Sequence, residues 1–185
     1  MAGTRYNARG VDEEGNAANF VETEMIVECP YINTLYSHVQ VRGSVPVVWS
    51  QKTKKNKVVI SNVSEMIVER AFDAHMQDLM RNYKLIVFLN LLSKEKQQEF
   101  ILSKKITDLI EKFAYDRVKK FQFDFHYETS GDNFSQLDQL ISIIKNSILN
   151  NFGYFVINKG TGSTELQKGV YRTNCLDCLD RTNVT

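Results

Sequence analysis

The sequence contains few cysteines and prolines and shows no charge excess of either sign. Its 185 residues include three cysteines and two prolines, and 23 basic against 22 acidic side chains give a net charge of +1. An odd number of cysteines cannot close into a disulfide framework, which indicates a reduced chain in which a thiol can do chemistry. The balanced charge argues against a general nucleic-acid binder, because such proteins carry a large basic excess.

Long apolar runs are also missing. The longest candidate, Leu85–Leu92, is interrupted by Asn90 and falls well short of the roughly 18 apolar residues that a membrane span needs. The first ten residues lack the apolar stretch of a signal peptide, so we expect no transmembrane segment and a soluble chain. The 43% hydrophobic and 24% charged residues are typical of globular proteins. At this length, we expect one folded domain.

The first sixty residues are predicted to be β-rich. Short β-forming segments occur at Met25–Val27, Val39–Val41 and Val45–Trp49, and turn residues separate them. Since Pro46 has no N–H to donate, the strand that contains it should lie at an edge or be bulged there.

From Ser64 onward, helical periodicity alternates with short apolar runs. The predicted elements are a helix over Glu65–Tyr83, a strand over Leu85–Leu89, a helix capped by Ser93, a strand over Phe121–Phe125, a helix beginning at Ser135 and a strand over Tyr154–Ile157. The first helix should bury Met66, Ile67, Phe72, Met76, Leu79 and Met80. The run Leu85–Leu89 is typical of a strand covered on both faces. The pattern therefore predicts an α/β fold: a mixed, partly parallel sheet flanked by helices, with an antiparallel N-terminal extension.

The most informative segment is Arg172–Asn183, which reads Arg-Thr-Asn-Cys-Leu-Asp-Cys-Leu-Asp-Arg-Thr-Asn. Cys175 and Arg181 enclose five residues, and a loop of this length between a strand and a helix can bring its N–H groups to one point. Such a loop, at a strand-to-helix turn, forms an anion-binding nest. We therefore expect a cysteine-phosphatase-like phosphate loop here.

The same spacing predicts the chemistry of the loop. The converging N–H groups would stabilise the Cys175 thiolate, whose pKa falls in such settings from about 8.5 toward about 3.5–7.5. Arg181 offers a planar fork for two phosphate oxygens and for the charge of the transition state. Thr182 can donate to the sulfur and help it leave. Together these residues predict two-step phosphoryl transfer through a cysteinyl-phosphate, which needs no metal or other cofactor.

The whole twelve-residue run resembles the signature of the Sac-domain phosphoinositide phosphatases. Further segments are similar to blocks of that family in the same order: Gly3–Asp12, Ala18–Glu24, Gln40–Trp49 and Phe123–His126. The resemblance is strongest to the endoplasmic-reticulum/Golgi branch. It implies that residues 1–185 are a Sac-type catalytic region, without the family's N-terminal subdomain and cut just after the phosphate loop. It also implies phosphoinositide lipids as substrates, phosphatidylinositol 4-phosphate first, at the cytoplasmic face of those membranes.

The resemblance also implies roles for single residues. Cys175 matches the nucleophile, Arg181 the phosphate-binding arginine and Asp177 the candidate general acid. Asp180 is an alternative acid, and bracing of the loop is an equal alternative for either aspartate. Further substrate-binding positions in and beside the loop are Arg172, Leu176, Cys178, Leu179, Asp180, Thr182 and Asn183. The flanking Arg172, Asn174 and Asn183 are expected to orient the loop by bonds to its backbone.

Signals outside the motif are weaker. Candidate contacts to inositol phosphates or anionic headgroups are Arg5, Arg9, Arg42 and Lys168, of which Arg42 is included among the predicted substrate-binding residues. His126 follows a predicted strand and could approach the site, although a structural role is the simpler interpretation. His38 and His75 have no supporting context, and Cys29 is expected to be a small, partly buried residue.

Several alternatives remain open at this stage. The pair Cys175 and Cys178 also fits a redox or zinc site, but zinc needs four ligands, so Cys29 and a distant histidine would have to join. Cys178 could instead form a reversible disulfide with the nucleophile. A protein phosphatase would use the same chemistry, although Asn174 stands where the tyrosine-phosphatase signature has histidine. Because the chain ends four residues after Arg181, it could also be an inactive phosphoinositide-binding or interaction module.

Overall fold

A computed structural model describes residues 8–52, 57–129, 134–147 and 151–176. Its strands are β1 (Val21–Cys29), β2 (Thr34–Ser44), β3 (Trp49–Lys52), β4 (Lys57–Ile60), β5 (Leu85–Asn90), β6 (Val118–Gln122), β7 (Phe155–Asn158), β8 (Thr164–Glu165) and β9 (Gly169–Cys175). Its α-helices are α1 (Glu65–Asn82), α2 (Gln97–Phe113), α3 (Phe125–Glu128) and α4 (Leu137–Ser147), and short 3-10 turns occupy Pro30–Ile32 and Phe134–Gln136.

The main sheet is mixed, as predicted. Its strand order is β6-β5-β9-β2-β7-β8, with β1 paired to β2, and a separate β3–β4 hairpin stands apart from it. The β6–β5, β5–β9 and β9–β2 pairs are parallel, whereas β1–β2, β2–β7 and β7–β8 are antiparallel. The long strand β2 joins the two regions, because it pairs with β7 at its start and with β9 at its end.

Strand β9 occupies the middle of the parallel region and is buried along its whole length. One apolar core packs α1 and α2 on one face of the sheet and includes Phe72, Met76 and Phe88. A second core on the other face includes Val87 and Tyr171. Alternate residues of β5 thus enter opposite cores, which confirms the prediction of a strand covered on both faces. The strand that ends at Cys175 is consequently held on four sides.

The predicted strand Val45–Trp49 is wrong. Strand β2 ends at Ser44, a bend follows, and β3 begins only at Trp49. The Val47 N–H donates to the Val45 carbonyl oxygen (2.8 Å), and the Trp49 indole N–H donates to that oxygen as well (3.2 Å). The apolar side chains of this segment therefore enter the core from a turn around Pro46, and residues 45–48 do not pair with another strand.

Two further predictions need correction. The strand predicted at Phe121–Phe125 lies three residues earlier, as β6, because Asp124 accepts a hydrogen bond from Tyr127 N (3.2 Å) and caps α3. Helix α2 begins at Gln97, four residues after Ser93. The Ser93 hydroxyl instead donates to the Asp124 carboxylate (3.1 Å) and joins the ends of two strands.

The helix predictions otherwise hold. Helix α1 covers Glu65–Asn82, but Met66 is 75% exposed and does not join the buried stripe. A 3-10 turn containing Ser135 leads into α4, and the strand predicted at Tyr154–Ile157 is β7, shifted by one residue. Among the described helices, none is long and apolar enough to cross a bilayer.

Candidate active site

The predicted nucleophile lies at the carboxyl end of the central strand. Cys175 is the last residue of β9, is opposite Ser44 of β2, and is only 1% exposed. Asn174 is in register with Asn90 of β5 on one side and with Gly43 of β2 on the other. The parallel strands β6, β5, β9 and β2 all end here, at the edge where open α/β sheets bind their ligands.

The remainder of the loop lies outside the described residues. This applies to Asp177, Cys178, Leu179, Asp180, Arg181, Thr182 and Asn183. Arg5 also lies outside them, and the roles assigned to all these residues stay predictions. The structure describes the residues that surround Cys175 and Leu176, and we call these residues the loop support.

The first residue after the nucleophile is anchored to β2. The Ser44 hydroxyl donates to the Leu176 carbonyl oxygen (2.8 Å) and accepts from the Gly10 N–H (3.0 Å). Gly10 has a φ of +77°, and a Cβ there would meet the Val47 carbonyl oxygen at 2.5 Å. A side chain at Gly10 would therefore force Gly10 and Val47 apart and disturb the bond from the Gly10 N–H to Ser44.

An amide network supports the loop from the β5–β6 side. The Asn174 side-chain NH₂ donates to Asn90 Oδ1 (2.6 Å), and the Asn90 NH₂ donates to Ser103 Oγ (2.7 Å) and Gln122 Oε1 (2.6 Å). A cavity of about 320 Å³ between α2 and β6 borders Asn90, Gln122 and Asn174. Within the described part of the chain, Asn174 Oδ1 is buried and accepts no hydrogen bond. The network thus fixes the residue next to Cys175.

Arg172 supports the loop from the other side. Its side chain is fully buried, and its guanidinium donates to the carbonyl oxygens of Gly43 (2.9 Å), Ser44 (2.8 Å) and Thr173 (3.0 Å). The rings of Phe20 and Phe88 flank it at 6.0 Å and 5.8 Å. These are side-chain-to-backbone bonds, but their acceptors belong to β2 and β9 and not to the loop that Arg172 was expected to orient. Both that role and its assignment as a substrate-binding residue stay predictions.

His75 is the participant that sequence reasoning missed. It lies on α1, is 4% exposed, and its Nε2 contacts Arg172 Nε at 3.3 Å. Its Nδ1 contacts the Gly15 carbonyl oxygen at 3.0 Å. Since a carbonyl oxygen only accepts, Nδ1 must carry the proton, and Nε2 is then free to accept from the arginine. A single histidine in an amphipathic helix gives no sign of this contact.

Burial and, after it, the positive charge of Arg172 together lower the pKa of His75 to about 3, although the bond to the Gly15 carbonyl oxygen raises it. The folded state therefore prefers the neutral ring, while the unfolded state takes up a proton below the ordinary pKa of about 6.5. Stability from this group is complete above pH 6.5 and is lost as the pH falls toward 3.

We expect the His75→Gln variant to lose this pH dependence. We compare the free energy of unfolding of the unaltered protein with that of the variant. As the pH falls below 6.5, the difference should shift against the unaltered protein by up to about 1.4 kcal/mol per pH unit. Urea unfolding of both proteins at pH 7.5, 6.5 and 5.5 measures the difference, in which the other titrating groups cancel. Parallel curves would mean that His75 takes up its proton at the same pH in the folded and the unfolded protein, so that its pKa is not lowered by the fold.

The other predicted residues are distributed unevenly. Lys168 directly precedes β9, so it lies at the opposite end of the strand, about 23 Å from Cys175 at about 3.3 Å per residue. Arg42 is half-buried in β2 beside Gly43, and Arg9 Nε donates to Gln51 Oε1 (3.1 Å) near the loop-bearing edge. His126 is exposed on α3, which follows the carboxyl end of β6. Among these four residues, Lys168 is thus the one placed at the far end of β9 from Cys175.

Two more residues belong elsewhere in the fold. His38 packs edge-on against Tyr154 (5.6 Å between ring centroids), and burial lowers its pKa. Cys29 is half-buried, as expected, and pairs with Thr34 at the start of β2, ten residues before the partner of Cys175. The two thiols are therefore about 30 Å apart along the strand. A zinc ion bound by both is excluded, because Zn–S bonds are about 2.3 Å.

Comparison with known proteins gives a consistent result. Residues 1–130 match the family model described as the SacI homology domain. The polyphosphatidylinositol phosphatase INP53 of Saccharomyces cerevisiae is 40% identical over 99% of this chain and 17% of its own length. The phosphatidylinositol-3-phosphatase SAC1-B of Danio rerio is 37% identical over 99% of this chain and 31% of its own.

A plant protein gives a similar match. The phosphoinositide phosphatase SAC7 of Arabidopsis thaliana is 38% identical over 99% of this chain and 30% of its own length. The chain thus spans less than a third of the length of each of these three relatives. The family model matches well over half of the chain, and the chain belongs to the SacI homology domain family.

Proposed function

We propose that this chain carries the catalytic loop of a phosphoinositide phosphatase that removes a phosphate monoester through a cysteinyl-phosphate on Cys175. The observation that carries the proposal is the position of Cys175. It ends the central parallel strand, between side chains that fix both of its neighbours, and it opens the Cys-x5-Arg spacing. The names of the relatives support the substrate class, since each is called a phosphatase of phosphatidylinositol phosphates or phosphoinositides.

In the first step, the Cys175 thiolate attacks the phosphorus, so that an S–P bond forms as the bond between phosphorus and the inositol oxygen breaks. The leaving oxygen takes a proton, for which Asp177 is the candidate donor. Arg181 and the loop N–H groups bind the phosphoryl oxygens, whose charge is spread over the transition state. Because the nucleophile and the acid are separate residues, one loop can both attack the phosphorus and protonate the leaving oxygen.

In the second step, a water molecule attacks the phosphorus of the phosphocysteine. The S–P bond breaks, inorganic phosphate leaves, and the thiolate is restored. The proton of the water returns to the aspartate, which is then ready for another cycle. Thr182 supports this step by donating a hydrogen bond to the departing sulfur, which lowers the pKa of the leaving thiol.

The described residues next to Cys175 support the proposal, because hydrogen bonds hold them in place. Positioning errors of about 1 Å can cost about 100-fold in rate. Here Leu176 is tied to Ser44, Asn174 to Asn90, and Arg172 to the end of β2. The substrate would be a lipid in a membrane surface, with phosphatidylinositol 4-phosphate as first choice and the 3-phosphate next. By resemblance, the membrane would be the cytoplasmic face of the endoplasmic reticulum or Golgi.

Phosphate release from a panel of phosphoinositide vesicles tests the proposal. The 185-residue chain and a longer protein that contains it are assayed beside phosphotyrosine peptides. We expect release from at least one phosphoinositide and little from the peptides. Release from the peptides alone would contradict the lipid substrate, and vesicle binding without release in both proteins would indicate the binding module.

Arg181→Ala should strongly reduce turnover in any active form of the protein. The loss of one donor to a transition-state oxyanion typically raises the barrier by about 2.7–4 kcal/mol, or about 100- to 1,000-fold in rate. Steady-state kinetics with a soluble short-chain phosphoinositide measure kcat and KM separately. Arg117→Ala is the control, because Arg117 is an exposed arginine just before the edge strand β6. Turnover by Arg181→Ala equal to that of the control would refute the role.

A further inference from the structure

We propose that His75 is a positioning residue for the phosphate loop: it fixes Arg172, which in turn fixes the strand ends from which the loop departs. This inference rests on the proposed function of the loop. No motif contains His75, and it lies 97 residues before Arg172 in the sequence. It acts on the loop through other groups, so it is not itself a catalytic residue.

Hydrogen bonds connect His75 to the strand ends through Arg172. Arg172 Nε donates to the His75 ring (3.3 Å), while the remaining N–H groups of that guanidinium reach the last two residues of β2 and Thr173 of β9. Ser44, one of these β2 residues, holds the Leu176 carbonyl oxygen. A continuous set of hydrogen bonds thus runs from helix α1 to the residue after the nucleophile.

A neutral histidine matches the hydrogen-bonding groups that surround position 75. The site presents an acceptor, the Gly15 carbonyl oxygen (3.0 Å), on one side and a donor, Arg172 Nε, on the other. A neutral imidazole can donate from Nδ1 to the carbonyl oxygen and accept the arginine N–H at Nε2, both from one rigid ring. A carboxylate would pair with the arginine but would put a second acceptor against Gly15. An apolar side chain would leave two buried polar groups unsatisfied.

The groups packed around the His75 ring hold it in place. Phe20 packs edge-on against His75 (5.8 Å between ring centroids) and also covers the Arg172 guanidinium. Gly15 has a φ of +92°, and a Cβ on it would lie 2.6 Å from the His75 backbone nitrogen. The loop that carries Gly15 therefore lies directly on α1. The histidine is held in one orientation, and so is the arginine that depends on it.

The test compares three variants. His75→Leu removes the donor and the acceptor, and His75→Gln retains one of each. Met76→Ala is the matched control, since Met76 is the next residue of α1, is fully buried in the core, and belongs to no part of the loop support. Thermal unfolding of all three gives the loss of stability against which their effects on the loop are judged.

The first readout is the binding of tungstate, an oxyanion of phosphate geometry, measured by titration calorimetry. We expect His75→Leu to weaken tungstate binding about 10-fold, a typical loss when a supporting residue of an ion site is removed. His75→Gln should restore most of the affinity, and Met76→Ala should change it less than about 2-fold despite a comparable loss of stability. Equal effects of His75→Leu and Met76→Ala would overturn the proposal.

The second readout is turnover of a soluble short-chain phosphoinositide. His75→Leu should lower kcat about 10- to 100-fold, as expected for a misplaced catalytic group, with a smaller change in KM. If the unaltered protein binds tungstate but hydrolyses no phosphoinositide, the proposed function fails while the tungstate series still decides the positioning role. If the unaltered protein does not bind tungstate, the positioning proposal itself is refuted.

A third readout keeps the proposal testable even if His75→Leu fails to fold. Long-range ¹⁵N–¹H spectra of the unaltered protein with labelled histidine report which ring nitrogen carries the proton. At pH 7, we expect the His75 ring to be neutral, with the proton on Nδ1 and an acceptor at Nε2. The opposite tautomer, or a doubly protonated ring, could not accept from Arg172 and would overturn the proposal.

Discussion

Replacing Cys175 with serine should abolish phosphoinositide turnover. A serine hydroxyl stays protonated near neutral pH, whereas the proposed phosphate loop would favour a thiolate. An alkoxide is also a poorer leaving group than a thiolate in the second step. We expect a loss of about 10⁴-fold or more, on the scale seen when the nucleophile of a covalent mechanism is removed. Phosphate release under single-turnover and steady-state conditions measures it.

The matched control is Cys29→Ser. Cys29 is a half-buried thiol, whereas Cys175 is fully buried, and it lies at the far end of the β1–β2 hairpin, about 30 Å from Cys175. Its substitution should leave turnover unchanged. Cys175→Ser should also still bind phosphoinositide vesicles, because the change replaces one atom at the end of a fully buried strand. Turnover by Cys175→Ser comparable to that of the control would contradict the nucleophile assignment.

Arg172→Met should have the largest effect on stability. The substitution removes the donors to the Gly43, Ser44 and Thr173 carbonyl oxygens and to the His75 ring, all of them buried. Each buried acceptor left without its donor typically costs about 1–3 kcal/mol, so we expect the loss of these four bonds to cost about 3–5 kcal/mol. Since a domain of this kind is stable by only about 5–15 kcal/mol, this loss is a large share of the total. Urea unfolding followed by circular dichroism measures it.

Two comparisons make the Arg172 result specific. Arg172→Lys keeps the charge but lacks the planar fork, so it should rescue only a part of the lost stability. Arg70→Met removes an exposed arginine of α1 that pairs with Glu13 (3.2 Å), and exposed pairs contribute about 0–1 kcal/mol. A loss of stability in Arg172→Met as small as that of Arg70→Met would show that the buried bonds are not what holds the strand ends.

Local patterns in the sequence predicted a substantial part of the fold. The 3.6-residue periodicity located α1, and the uninterrupted run at Leu85–Leu89 located the buried strand β5. The strand predicted at Val45–Trp49 was wrong for a physical reason. Buried side chains around a proline turn have the same apolar composition as a strand. The errors at Ser93 and Phe125 share another cause, since Asp124 bonds both the Ser93 hydroxyl and the start of α3.

Non-local pairing explains what the sequence could not predict about the candidate site. The order of residues around Cys175 predicts a phosphate loop, but it does not predict that Arg172 bonds to Gly43 or that Asn174 bonds to Asn90. These contacts arise only when β9 enters the sheet between β5 and β2. His75 is the clearest case, because an isolated histidine acquires its partner only when α1 packs on the sheet. Motifs predict chemistry, whereas the support of a site depends on topology.

A phosphate group trapped on Cys175 would test the central claim most directly. Phosphatidylinositol 4-phosphate labelled in its 4-phosphate is mixed with the protein, the reaction is stopped within milliseconds by denaturant, and the labelled peptide is identified by mass spectrometry. We predict a label on the peptide containing Cys175 that appears before free phosphate and is absent from Cys175→Ser. Phosphate release without labelled protein, or a label on another residue, would contradict the cysteinyl-phosphate mechanism.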